Sequence, residues 1–323
     1  MRTLLTNDKM HPALVARIEA SLQRRSRHAG SGIYRPRAVA VGRFLGIAAA
    51  LAAIVAIYVT QRRAHDRFEA RRAALIAAIE GPSASLNERE KQLLQRTEAP
   101  LRMLAGPYEG DLVAPSLRAS GLGPVLGSPT VYARGLLNDF TGGRSIELAT
   151  ETSTKDAFLF CLVDPPPARD EATLVAKVRE ARRPELVAER TPAVALLRDA
   201  EFGLPFLLPP FVARVRAARS AFDLVALEQS FAQAPVEGAT VAARAHYLLA
   251  ALDEGFGAGL DGDRAHDVRV TVVDLVEAKV LLRLRRPVDP TIVSAPSRPR
   301  FSVDVDGCTL ALDVGAAVAR QVQ

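Results

Sequence analysis

The stretch Ala38–Thr60, AVAVGRFLGIAAALAAIVAIYVT, decides how this chain is organised. It has 23 residues and a single charge, Arg43, close to its start. As an α-helix it extends about 35 Å, which is enough to cross a bilayer core of about 30 Å. The sequence therefore predicts one transmembrane helix over 38–60, embedded in the lipid bilayer.

The charges beside this span predict its orientation. Residues 1–37 carry eight basic side chains against two acidic ones, whereas 61–72 carries five arginines against two acidic ones. Because cytoplasmic flanks hold the larger excess of Lys and Arg, we expect 1–37 to be a cytoplasmic basic tail. A cleaved signal peptide fits poorly, since the basic region and the apolar run are both too long. The Ala- and Arg-rich composition is typical of high-GC bacteria, so we expect the inner membrane, with the C-terminal domain in the periplasm.

The tail contains one short amphipathic pattern. Leu14, Ile18 and Leu22 recur at four-residue spacing after Pro12, which predicts a helix with one apolar face. That face would lie on the inner leaflet or bind a cytosolic partner. The alternative is a solvated basic tail.

Small residues form a stripe inside the span. Gly42, Gly46 and Ala50 are spaced four apart, and such stripes allow two membrane helices to approach closely. The stripe is a candidate face for a homodimer through the membrane helix. The alternative is that an Ala-rich span produces this spacing by chance.

Helical patterns continue after the span over 61–104. Gly81-Pro82-Ser83 interrupts the first, and Ser85-Leu86-Asn87-Glu88 is typical of a capping box that opens a second. We interpret 61–104 as a helical stalk. The alternative is an antiparallel helical hairpin packed on the following domain.

Residues 105–323 predict an α+β domain with a mainly antiparallel sheet, because strands, helices and strands follow one another in that order. The predicted strands are 130–137, 145–150, 156–163, two Val- and Leu-rich runs from Val268 onward, and a final hairpin with Asp306-Gly307 as its turn. The predicted helices are 169–182, 211–234 and 240–254. Three prolines at 165–167 indicate a possible sub-boundary near 164–168. The apolar segment 204–211 fits either a buried loop or an exposed contact patch.

The two cysteines of the chain, Cys161 and Cys308, fall in this domain. An oxidising compartment would permit a disulfide between them. The alternative is two buried free thiols, because Cys also behaves as a small hydrophobic residue.

Catalytic and ligand-binding motifs are scarce in this sequence. It contains neither a phosphate-binding G-x-x-x-x-G-K-[ST] loop nor a G-x-S-x-G nucleophile motif. The acidic loop 261–267 lacks the glycine and terminal glutamate of an EF-hand. Asp267, Glu277 and Lys279 only loosely match the acidic and lysine residues of metal-dependent nucleases. The arginines near the C-terminus lack the interleaved aromatic residues of a nucleic-acid platform. We therefore predict no catalytic residues, no metal, no cofactor and no nucleic-acid partner.

These observations favour a bitopic, non-enzymatic envelope protein whose extracytoplasmic domain binds another envelope component, a protein partner. One alternative is transmembrane signalling, in which the tail holds a cytosolic regulator as membrane-bound anti-sigma factors do. A second alternative is an envelope enzyme, for which His246, Asp267, Glu277 and Cys161 are the candidate residues.

Overall fold

The structure is a computed structural model that describes residues 36–141, 146–255, 264–294 and 298–319. The predicted tail face of Leu14, Ile18 and Leu22 lies outside these residues, as do residues 261–263 of the acidic loop 261–267. By its internal contacts the chain divides into two units, Met1–Arg67 and Phe68–Gln323.

One continuous helix, α1, runs from Pro36 to Ala84 and contains the predicted span. Within the described residues it is the one helix long and apolar enough to cross a membrane, over Ile47–Ala84, and its apolar window is 0% buried. Ile47, Leu51 and Ile54 are each more than half exposed. The predicted dimer face of Gly42, Gly46 and Ala50 lies on this helix, and its role as an interface stays a prediction.

The second unit contains fourteen further α-helices within the described residues. They are α2 Glu88–Lys91, α3 Leu93–Leu104, α4 Pro115–Ser120, α5 Gly123–Leu126, α6 Leu137–Thr141, α7 Ile146–Thr150, α8 Ala157–Val163, α9 Glu171–Ala181, α10 Pro184–Arg190, α11 Leu197–Leu207, α12 Pro209–Ala217, α13 Ala221–Gln233, α14 Val236–Ala243 and α15 Arg298–Ala319. A short 3-10 helix covers Pro290–Ile292.

Six strands form one sheet in the described part of the chain. They are β1 Leu112–Val113, β2 Thr130–Leu136, β3 Val194–Leu196, β4 Tyr247–Asp253, β5 His266–Asp274 and β6 Lys279–Val288, in the spatial order β1-β6-β5-β4-β2-β3. The β1–β6, β6–β5 and β5–β4 pairs are antiparallel, whereas β4–β2 and β2–β3 are parallel. The sheet is therefore mixed, and the α+β class holds in this coarser form.

Two predicted strands and the predicted hairpin are wrong, because their segments are helices. Residues 146–150 form α7 and residues 157–163 form α8, which begins where the Asp156 carboxylate accepts a hydrogen bond from Leu159 N at 3.1 Å. The predicted hairpin at Asp306-Gly307 lies inside the 22-residue helix α15. A short apolar run such as AFLFCLV has no polar alternation, so its periodicity fits a buried helix equally well.

Two predicted helices end earlier than expected. The helix expected over 211–234 is interrupted before Ser220, which opens α13 through a capping box with Asp223. The helix expected over 240–254 ends at Ala243, and the buried strand β4 follows from Tyr247. The strands at 130–136, 266–274 and 279–288 and the helix at 171–181 are confirmed.

Helices cover both faces of the sheet, because successive strand residues point to opposite sides. Val131 and Ala133 of β2 face a core with α3, α11 and α14, whereas Tyr132 faces a second core with α8, α9 and α15. The second face also receives the side chains of Leu249 and Ala251 from β4. By the same alternation Arg134 and Asp253 lie on this second face, beneath α15.

The region 68–104, part of the predicted stalk, contributes buried side chains to this unit. Leu75 and Ile79 pack with Phe211 and Val215 of α12. Leu93 and Leu101 of α3 are fully buried in the core below the sheet. These contacts lie within the second unit, and the interpretation of 61–104 as a stalk stays a prediction.

Candidate functional site

The structure links Cys161 of α8 to Cys308 of α15 in a disulfide, with their Cα atoms 5.1 Å apart. The helices approach closely at this point, because a Cβ on Gly307 would lie 2.9 Å from the Phe158 nitrogen. A bonded cysteine has no thiol, so this arrangement leaves Cys161 without the nucleophile that the enzyme alternative needs.

The other candidate enzyme residues do not meet. Asp267 lies near the start of β5 and pairs with Pro287, whereas Glu277 follows the far end of that strand. The seven residue steps from Asp267 to Asp274 along this strand cover about 24 Å at about 3.4 Å per residue. His246 is exposed between α14 and β4. The structure therefore does not assemble a catalytic group from these four residues.

A buried ionic network does form where the parallel strands β2 and β4 end. Arg134 donates through Nη1 to Asp156 Oδ2 at 2.7 Å and through Nη2 to Asp253 Oδ1 at 3.1 Å. Tyr132 donates its hydroxyl to both Asp156 oxygens at 3.0 and 3.1 Å. Burial lowers the pKa of Arg134, but the two carboxylates outweigh it and hold the pKa well above its ordinary value. No sequence motif predicts this network, and the alternation of side chains along β2 and β4 is the available signal.

His266, the first residue of β5, extends the network. Its Nε2 lies 3.1 Å from Asp253 Oδ1 and its Nδ1 lies 2.9 Å from the Arg264 carbonyl oxygen. Both partners accept hydrogen bonds, so this geometry favours the imidazolium with both nitrogens donating. The hydrogen bond to Asp253 accordingly raises the pKa of His266. With both nitrogens engaged, His266 has no free atom for proton transfer to a substrate.

Asp306 of α15 lies over the same network without a hydrogen-bond partner among the described residues. Its side chain is 3% exposed, and neither carboxylate oxygen meets a donor. Burial raises the pKa of Asp306 to about 7, against the attraction of His266 and Arg134. Arg134 and His266 already balance the charges of Asp156 and Asp253, so an ionised Asp306 would add an uncompensated negative charge.

An apolar groove lies on the other side of α15. Its volume is about 1040 Å³, at the upper end of the range of about 300–1,000 Å³ typical of ligand sites. Half-buried leucines line it, namely Leu122, Leu126, Leu162 and Leu312, and the Cys161 side of the disulfide forms part of its wall. Gly315 of α15 opens onto the groove, with no atom within 4 Å of the position its Cβ would occupy.

A smaller cavity adjoins this groove at Arg118. It has a volume of about 430 Å³ and includes Asp111, Arg118 and Arg286 in its lining. Arg118 borders both spaces, and Ala317 borders the cavity while its neighbours Ala316 and Val318 border the groove. The two spaces together can therefore accommodate a ligand with an apolar part and a polar part.

No group of three or more His, Cys, Asp or Glu side chains suited to a metal ion occurs within the described residues. No protein-family model, curated protein or solved structure matches this chain.

Proposed function

We propose that this chain is a single-pass membrane protein whose extracytoplasmic domain binds another component of the envelope without catalysing a reaction. The observation that carries the binding role is the apolar groove of about 1040 Å³ beside α15. A concave apolar surface of this size with a few charged groups at its edge is the usual form of a ligand site.

The membrane setting is supported by α1. An apolar 18-residue window within Ile47–Ala84 is 0% buried, whereas the core helix of a water-soluble domain would be largely covered. The Cys161–Cys308 link agrees with an oxidising compartment for the domain. The larger basic excess before the span agrees with a cytoplasmic tail.

The non-enzymatic role is supported by the buried network. The network residues Arg134, Asp253 and His266 form hydrogen bonds with one another and with neighbouring protein groups. Side chains that are hydrogen-bonded in this way stabilise the packing of the sheet and α8, which is a structural role.

Topology is the first test. Alkaline phosphatase, which is active only outside the cytoplasm, is fused after Gln323, and a matched fusion is made after Arg37. We expect an active C-terminal fusion and an inactive fusion after Arg37. An inactive C-terminal fusion at normal expression would place the domain in the cytoplasm and refute this proposal.

A further inference from the structure

The groove and the adjoining cavity meet at one unpaired cation. Arg118 makes no side-chain hydrogen bond or ion pair within the part of the chain that the structure describes, and it is exposed. Asp111, the acid of the cavity, is already engaged: its Oδ2 accepts from Arg286 Nη1 at 2.7 Å and its Oδ1 from Arg285 N at 3.2 Å. Tyr108 also donates to Asp111. Arg118 is thus left to attract an anion.

The other charged side chains of the groove carry opposite charges. Glu189 and Arg190 both border it, and their opposite charges leave no net attraction at that end. The positive excess therefore lies at the Arg118 end, where the polar cavity begins. An anionic group fits there, and an apolar chain fits the groove beyond it.

The volumes indicate how large the apolar part is. A methylene takes roughly the space of a water molecule, about 30 Å³, so one sixteen-carbon chain needs about 500 Å³. Two such chains match the groove of about 1040 Å³. A phosphodiester headgroup then has the cavity of about 430 Å³ available.

We propose that this site binds a two-chain anionic phospholipid, with its acyl chains in the groove and its phosphate on Arg118. This inference rests on the proposed function, because a membrane-anchored chain is supplied with this ligand by its own bilayer. Arginine recognises phosphate through paired, charge-assisted hydrogen bonds. The ligand class follows from the position of one unpaired arginine between an apolar and a polar space.

The test uses the full chain in nanodiscs of phosphatidylcholine that contain a small fraction of phosphatidylglycerol with a photoreactive acyl chain. After irradiation, labelled peptides are mapped by mass spectrometry. We expect labelling of the membrane span 38–60 and also of the groove peptides around 118–126 and 311–319. Label on the span reports the membrane setting, so it separates the two proposals.

Two matched pairs of variants sharpen the test. Gly315→Phe fills the groove where no atom obstructs the new side chain, and Gly81→Phe makes the same change at an exposed, unobstructed helical glycine of α1. Arg118→Gln removes the phosphate partner, and Arg244→Gln makes that change at an exposed arginine away from the groove. We expect Gly315→Phe and Arg118→Gln to lower groove labelling about tenfold, with unchanged labelling of the span, and the controls to match the unmodified chain.

Three results would overturn the inference. A labelled span with an unlabelled groove would refute the lipid site and leave the membrane proposal standing. Equal groove labelling from photoreactive phosphatidylcholine would refute the role of the anionic headgroup. An unlabelled span would refute the membrane setting, and the lipid site with it.

Discussion

Asp306→Asn gives the sharpest test of the buried network. Asp306 is 3% exposed and lacks a hydrogen-bond donor among the described residues, and burial raises its pKa from 3.8 to about 7. A carboxyl whose pKa is higher in the folded chain holds more protons there, so stability falls as pH rises from about 4 to about 7. Each unit of pKa difference corresponds to about 1.4 kcal/mol. Between pH 5 and pH 8 the free energy of unfolding of the unmodified chain should therefore fall by about 3 kcal/mol because of Asp306.

The charged groups around Asp306 set the size of this effect. Burial contributes most; His266 and Arg134 lower the pKa of Asp306, and Asp289 and Asp253 raise it. The raised pKa of His266 also makes stability fall as pH rises, because the imidazolium loses its proton. The unmodified chain and Asp306→Asn both carry the contribution of His266, so the difference between their stabilities reports mainly Asp306.

The assay is thermal unfolding of the full chain in detergent, followed by far-UV circular dichroism at pH 5, 6.5 and 8. Asparagine cannot ionise, and its unpaired amide costs about the same free energy at each pH. We expect the melting temperature of Asp306→Asn to rise relative to the unmodified chain by about 5–10 °C between pH 5 and pH 8. Glu277→Gln, at an exposed turn residue, serves as the control and should show no such trend. Parallel pH curves for Asp306→Asn and the unmodified chain would refute the reasoning.

Three further predictions concern stability. Arg134→Met leaves two carboxylates without their buried cation and should lower the free energy of unfolding by about 3–5 kcal/mol. Arg286→Met, at an exposed ion pair, should lower it by less than about 1 kcal/mol. Equal losses of the two variants in urea unfolding would contradict this contrast. Reduction of Cys161–Cys308, which have a sequence separation of 147, should lower the free energy of unfolding by about 5 kcal/mol. Intact mass after alkylation with and without reductant checks the bond, and the absence of a mass difference would disprove it. Gly203→Ala should destabilise by about 1–3 kcal/mol, because its Cβ would lie 2.5 Å from a side chain of the neighbouring helix α14; an unchanged melting temperature would show that α11 and α14 are not packed this closely.

Short apolar runs mark the limit of what this sequence predicts about the fold. The apolar run 156–163 predicts a strand and the Asp306-Gly307 turn predicts a hairpin, yet Ala157–Val163 and Arg298–Ala319 are helices. The first run is largely buried, so it lacks the polar alternation that distinguishes a strand from a helix. The clearer alternation in β5 and β6, where Val and Leu alternate with Arg, was enough to identify both strands.

The sequence by itself determined the one long apolar helix, the α+β class and the strands with clear alternation. These properties are local, since they depend on hydrophobicity and on periods within a few residues. The tertiary structure decided the network of Arg134, Asp253 and His266, whose members lie up to 132 positions apart. It also decided the groove at Arg118, because α4, α5, α8 and α15 meet only when the chain folds across the sheet. Both sites depend on packing between distant segments, for which a single sequence carries no local pattern.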